Sequence, residues 1–205
     1  MNLIIYGAGG HAKVVGETAH HLTTYKKIIF VDPYLKDFVF TQYDPSFSFV
    51  PFHSLLDIAM PSYSICAIGD NALRRQVILA HAKDSFASVI SNEAIVSKFC
   101  NISPGVFIAP GAVVNADASI GSHSIINTSS VIEHDCKISS FCHIAPNAAL
   151  GGNVFLGENV LVGGNTFINP NLSICSDVVI GSGSVVTKDL SEPGLYVGTP
   201  AKKIA

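Results

Sequence analysis

A short βαβαβ sheet domain followed by a parallel β-helix is the fold class this sequence predicts, and three observations carry it. Ile, Val or Leu stands at every sixth position from Ile90 to Val186 without a failure. Near the start, the glycine loop Gly7-Ala8-Gly9-Gly10 separates an apolar strand from an amphipathic helix, and the next strand ends in an acidic residue, Asp32, about twenty residues on. The two patterns do not overlap, which divides the chain into residues 1–88 and 89–205.

Leu3 to Tyr6 reads as a buried strand and His11 to Leu22 as a helix with Val14, Val15, Thr18, Ala19 and Leu22 on one face. Ile28 to Val31 is a second strand. The resulting G-x-G-x-x-A loop with Asp32 matches a dinucleotide fingerprint, yet only enough chain precedes the repeats for half of a Rossmann-like sheet, and one half fits one nucleotide. A third strand, Ser64 to Ile68, ends at Gly69-Asp70-Asn71 and leads into a helix over Ala72 to Ala82. Its turn falls at the same carboxyl edge of the sheet, where ligands of parallel sheets bind. Gly9, Gly10, His11, Asp32 with its neighbour Pro33, and Gly69 are therefore candidates to hold a nucleotide sugar, with loop amides and a helix N-terminus facing phosphate. A structural reading stands beside each: Gly7 and Gly9 serve the turn, Asp32 precedes Pro33 as a turn residue, and His11 starts the helix. Asp44 to Pro61, punctuated by Pro45, Pro51 and Pro61, reads as a connection with a short helix near Leu55.

A period of six fits neither a helix nor an alternating strand. It fits a short strand plus a tight corner, three of which close a triangular coil of about eighteen residues, giving roughly five coils. The aliphatic residue fills the interior, and the position two before it is usually small, as at Ala112, Ala118, Ser124, Ser130, Cys136, Cys142 and Ala148. Gly121, Gly151, Gly157, Gly163 and Gly181, with Asn115, Asn127 and Asn169, directly follow the aliphatic position, where a corner with positive φ is expected.

Composition narrows the function. The net charge is −3 and Arg74 and Arg75 are the only arginines, so no basic stripe invites nucleic acid. No apolar run approaches membrane-spanning length, and Met1 to Tyr6 lacks a basic leader, so a cytoplasmic protein without membrane partners is expected. The five cysteines form no CxxC pair and fit packing positions. Among the histidines, His20, His21, His53 and His81 belong to no recognisable constellation.

His134 is flanked by Glu133 and Asp135. A carboxylate beside an imidazole fixes its tautomer and raises its basicity, as a general base requires, while the plainer reading is an exposed histidine on a charged corner. Eighteen positions on, one coil later, His134 meets Gly152, whose missing side chain leaves room for a ligand. His143 stands half a coil from His134, on another side of the prism, so a site using both requires association, which a threefold assembly supplies.

The loop GAGGHA, the segment NTSSVIEHD at 127–135, the later His143 and the tail YVGTPAKKI together resemble the bacterial nucleotide-sugar N-acetyltransferases that act on UDP-4-amino-sugars, relatives of the sialic-acid O-acetyltransferases. That resemblance implies a left-handed parallel β-helix, acetyl-CoA as cosubstrate, no metal and a homotrimer. It implies that His134 is the general base and that Asp135, where the family often has Glu, increases its basicity. Asn127 falls near the acceptor, and His143, Gly152, Gly164 and Ser182 fall at acetyl-CoA contacts. The two departures, Asp135 for Glu and Ser182 for a frequent Gly, leave open whether Glu133 shares the carboxylate role. An O-acetyltransferase of a sialic acid or another sugar hydroxyl is the alternative, since the protein half of the chemistry is the same. A zinc hydratase on the same solenoid would need an H-x4-H spacing, which His123, His134 and His143 do not provide. A non-enzymatic binding solenoid would not need the nucleotide-type domain or the His134-Asp135 pair.

Overall fold

The computed structural model describes residues 1–32, 44–51 and 62–204. Pro33, His53 and the short helix expected near Leu55 lie outside them. The first region runs β1 (Asn2–Tyr6), α1 (Gly10–His21), β2 (Lys27–Asp32), β3 (Phe47–Pro51), β4 (Ser62–Cys66) and α2 (Asn71–Ala80). All four strands are parallel, in the order β3-β2-β1-β4.

Strand β3 corrects the sequence reading, which took this stretch as a connection. Phe47 and Phe49 alternate with Ser48, a strand signal that the neighbouring prolines obscured. Among the described residues β3 is the edge strand, paired along one side, where a terminal proline is tolerated. The strand expected at Ser64 to Ile68 begins two residues earlier, because pairing with β1 sets Asn2 opposite Ser62.

Helix α1 buries Ala12, Val15, Gly16, Thr18 and Ala19, whereas Val14, expected on that face, is exposed. Gly16 is required there: a Cβ would come within 2.4 Å of the Phe30 ring. The helix is sandwiched between its own sheet and the solenoid. Leu3, Ala8, Ala12 and Val15 share one core with Val89, Phe107, Ala109 and Ile125. Each large side chain in that core contributes about 1.5–3 kcal/mol by leaving water, so the two regions are held by a common apolar interior. Helix α2 covers the other side of the sheet with Val77 and Ile78.

From Val89 the chain winds through two-residue strands on three faces. The first face stacks Val89–Ile90, Phe107–Ile108, Ile125–Ile126, His143–Ile144 and Leu161–Val162, then Val178–Ile180 and Gly194–Val197. The second stacks Ile95–Val96, Val113–Val114, Val131–Ile132, Ala149–Leu150, Phe167–Ile168 and Val185–Val186, and the third runs from Asn101–Ile102 to Ser173–Ile174. Partners lie one coil apart, as Ile126 opposite Ile144, so the residue of the sixfold register always points inward. The small residues two positions earlier, including Ser124, Ser130, Cys136 and Cys142, are fully buried.

The expected corner geometry needs correction. From Ile102 to Ile180, left-handed φ falls three residues after each aliphatic position, at Asp117, His123, Ser129, Asp135, Phe141, Asn147 and Asn153 among others, and not directly after it. The glycines that directly follow serve close approach between coils. A Cβ on Gly121 would lie 2.5 Å from the Ser139 carbonyl carbon, and one on Gly157 would lie 2.4 Å from the Ser176 nitrogen. Among the described residues, no helix is long and apolar enough to cross a membrane.

Candidate active site

The carboxyl edge of the parallel sheet opens into a cavity of about 460 Å³ bordered by Gly9, Gly10, His11, Asp32 and Gly69. The glycines of the loop that enters it differ in their surroundings. Gly7 has φ +106° and sits against the Ala67 carbonyl, where a Cβ would lie at 3.2 Å, so it serves the turn. Gly9 and Gly10 do neither: Gly9 has an ordinary φ of −79°, and nothing lies within 4 Å of a Cβ at either position. Gly9 caps α1 without a side-chain hydrogen bond. The helix thus presents its first amides, with their partial positive charge, to the cavity. Asp32 accepts a hydrogen bond from the Ala8 amide at 3.0 Å, which fixes the loop to the end of β2. On the far wall, Tyr6 stacks on His81 at 4.3 Å and donates to Asp84, and burial pushes its phenol well above the usual range. His81 carried no sequence signal; stacking on the last residue of β1 brings it to the cavity.

At the mouth, three segments distant in sequence meet. His143 Nδ1 lies 3.1 Å from the Gly69 carbonyl oxygen, a bond only a protonated Nδ1 makes, and its Nε2 then accepts from Asn127 Nδ2 at 3.0 Å. The ring of His11 stands 6.3 Å away. Burial lowers the pKa of His11 and of His143 to about 4, so both are neutral near pH 7. The structure therefore gathers His143 and Asn127 with His11 and Gly69, the residues expected to hold the nucleotide sugar. Gly164 and Ser182, two of the other three expected cofactor contacts, lie on the corner between the first and second faces. Asn127 occupies that same corner, two and three coils earlier.

His134 and Gly152 occupy the next corner, between the second and third faces. His134 Nδ1 bonds Asp135 Oδ2 at 2.7 Å, which orients the ring. The hydrogen bond to Asp135, reinforced by the charges of Asp135 and Glu133, raises the His134 pKa. The opposite edge faces Gly152, where a Cβ would lie 2.6 Å from Nε2. The register reading that set Gly152 over His134 is thus seen directly, and Asn153 N donates to the His134 carbonyl at 2.8 Å. Asp135 adopts φ +62°, a conformation aspartate tolerates better than most residues. Glu133 is engaged elsewhere: its Oε2 accepts from Asn115 Nδ2 at 2.9 Å, one coil away.

Between these two corners, the second face turns Ile95, Val113, Val131, Ala149, Phe167 and Val185 outward, an unbroken apolar column. Ile95 and Phe167 are 69% and 42% exposed. Sequence reasoning also passed over Arg74, which is 1% exposed. Its signal was its place four residues before buried Ile78, on the inward face of α2. Among the described residues, no group of three or more His, Cys, Asp or Glu is placed to hold a metal ion.

A parallel β-helix of hexapeptide coils bearing an oriented histidine beside a glycine, with a nucleotide-type sheet docked on one face, defines an acyltransferase of the hexapeptide-repeat class. Comparisons with known proteins narrow that class. Residues 2–80 match the PglD N-terminal domain family. The acetyltransferase domain of PglB from Neisseria gonorrhoeae, solved with acetyl coenzyme A, superposes with a TM-score of 0.91 at 32% identity, covering 99% of this chain and 98% of that one. A mutant of perosamine N-acetyltransferase from Caulobacter crescentus, solved with CoA and GDP-perosamine, gives 0.89 at 31% identity over 100% and 97%. WeeI from Acinetobacter baumannii shares the fold, with a TM-score of 0.88 at 23% identity and full coverage of both chains. A sequence search of curated proteins finds no match. The chain belongs to the nucleotide-sugar N-acetyltransferase family of left-handed β-helix hexapeptide acyltransferases.

Proposed function

We propose that the protein transfers the acetyl group of acetyl-CoA to the amino group of a nucleotide-linked amino-sugar, of the UDP-4-amino-4,6-dideoxy class, for glycan synthesis. The observation that carries this reading is the His134 geometry. Nδ1 is committed to Asp135, so the basic lone pair is on Nε2, and that edge faces the space left by Gly152. In the proposed reaction the acceptor amine attacks the thioester carbonyl, and Nε2 takes the amine proton. The amides of Gly151 and Asn153 are engaged, with Ile168 and His134 carbonyls respectively. The Gly152 amide between them is the proposed donor to the tetrahedral oxyanion. Collapse expels the CoA thiolate, which receives the proton from His134.

The nucleotide sugar binds in the cavity at the sheet edge, its phosphates against Gly9, Gly10 and the start of α1, with His11, Asp32 and Gly69 around it. Acetyl-CoA runs along the corner of Gly164 and Ser182 and ends near Asn127 and His143, where the two ligands meet. That corner and the His134 corner border opposite edges of one apolar face. We propose that this face packs against a neighbouring copy in a homotrimer, which buries the column from Ile95 to Val185 and brings one subunit's His134 to another's Asn127. A fully active monomer in sedimentation would remove this assembly. The chemical assignment is tested by His134→Ala in a thiol-release assay with acetyl-CoA and a panel of nucleotide amino-sugars. A loss of about 10²–10⁴-fold in kcat is expected, and near-wild-type release refutes the role.

A further inference from the structure

The guanidinium of Arg74 is buried, and among the described residues no carboxylate forms an ion pair with it. Its N–H groups are spent on two sets of acceptors. One set belongs to the rim of the cavity: Nη1 donates to the carbonyls of Ile68 at 2.9 Å and Gly69 at 3.2 Å, and Nη2 to Asn71 Oδ1 at 2.7 Å. The other belongs to two successive solenoid corners: Nε donates to the His123 carbonyl at 2.8 Å, and Nη2 to the carbonyls of Phe141 at 2.9 Å and Cys142 at 3.3 Å.

Two further features show that this junction is built. His123 and Phe141 both hold left-handed backbone, at φ 59° and 61°, and for a bulky residue such as Phe141 that conformation is rare. Their rings stack on each other at 5.4 Å, and Phe86 meets His123 edge-on at 4.8 Å. The carbonyl of Gly69 is shared, accepting from Arg74 and from His143 Nδ1. Asn71 adds a second tie through Nδ2 to the Val160 carbonyl at 3.3 Å.

We propose that Arg74 is a positioning residue for the transfer reaction, locking the Gly69 loop of the nucleotide pocket onto the coil that carries His143 so that the bound sugar is presented at a fixed distance from Asn127. The proposal rests on the reading of the cavity as the nucleotide-sugar site. A guanidinium suits the task because its planar fork reaches acceptors on both sides at once, whereas lysine has three donors on a single nitrogen.

The test measures thiol release by full-length wild type, Arg74→Met and Arg74→Lys, varying acetyl-CoA and a UDP-4-amino-sugar or GDP-perosamine separately, with thermal unfolding of each protein. Loss of positioning raises KM for the nucleotide sugar about 10-fold or more and leaves KM for acetyl-CoA within about twofold, and lysine does not restore it. A purely structural role lowers the active fraction and leaves both KM values unchanged, which overturns the proposal. Should the Arg74 variants not fold, Asn71→Ala removes one acceptor and one tie at a partly exposed position; it is expected to raise the same KM about threefold, and an unchanged KM refutes the idea. Wild-type protein that turns over no nucleotide amino-sugar removes the functional reading and the proposal with it, an outcome distinct from unchanged constants in the variants.

Discussion

Replacing Gly152 by alanine isolates the placement of the base from its chemistry. The added Cβ would fall 2.6 Å from both Cε1 and Nε2 of His134, short of ordinary contact by about 0.8 Å. Gly152 does not adopt a left-handed φ, so its backbone accepts alanine, and the strain is relieved by the imidazole. The His134 side chain is 63% exposed and swings aside readily, but only by lengthening its 2.7 Å bond to Asp135. A displacement approaching 1 Å in a catalytic group lowers the rate about 10²-fold. Gly152→Ala is therefore expected to lose about two orders of magnitude in kcat while its unfolding free energy changes by less than about 1 kcal/mol. Steady-state thiol release and a urea melt on the same preparation check both halves. A kcat within about twofold of wild type, with folding intact, would show that the Gly152 edge of His134 is not where proton transfer takes place.

Asp135→Asn keeps a residue that tolerates φ +62° but removes the charge. The folded-state pKa of His134 is raised mainly by its bond to Asp135, so the base is lost as pH falls through that raised value. The variant is expected to shift the acid limb of the kcat/KM profile to lower pH and to reduce kcat about 10- to 100-fold. Gly10→Ala meets open space inside the first turn of a helix, so stability is expected to hold or rise by up to about 1 kcal/mol while KM for the nucleotide sugar increases; an unchanged KM would return Gly10 to a structural role. His11, His123 and His143 are held neutral at pKa about 4, below the unfolded value, so the unfolded chain binds more protons between those limits. Stability is then full above about pH 6.5 and falls toward pH 4, by about 1 to 2 kcal/mol at pH 5 for each of His11 and His143 and by less for the half-buried His123. Urea midpoints at pH 7 and pH 5 measure it, and equal values would refute the burial of these rings.

What was legible in the sequence depended on whether its cause was local. The inward column from Ile90 to Val186 repeats because each coil stacks on an equivalent one, so a single spacing announces the whole solenoid and even sets Gly152 over His134. The glycine turn and Asp32 at the end of β2 were readable as elements because a tight strand-to-helix turn carries its glycines at a fixed offset from the next strand, and Asp32 does accept from the Ala8 amide of that turn. Strand β3 was missed because the prolines around Phe47 and Phe49 signal a loop, and only pairing with β2 decides otherwise. The surroundings of His143 were hidden for a different reason. They depend on how the first region docks on the first face, and the residue that fixes this docking, Arg74, belongs to no motif and acts through carbonyl oxygens that every sequence possesses.

The solenoid runs from Ile90 to Val186 with no insertion, and this makes it a scaffold without inserted arms. Heights along its axis are quantised: side chains on one edge can approach or recede from one another only in steps of one strand spacing, about 4.8 Å. Deleting six residues between His134 and Gly152 would rotate everything beyond the cut by one face, carrying glycine to the wrong edge. A whole coil could be added or lost without such a phase error. A donor thioester therefore meets a rigid scale, and any tuning of acceptor length or shape falls to the sheet region clamped against it.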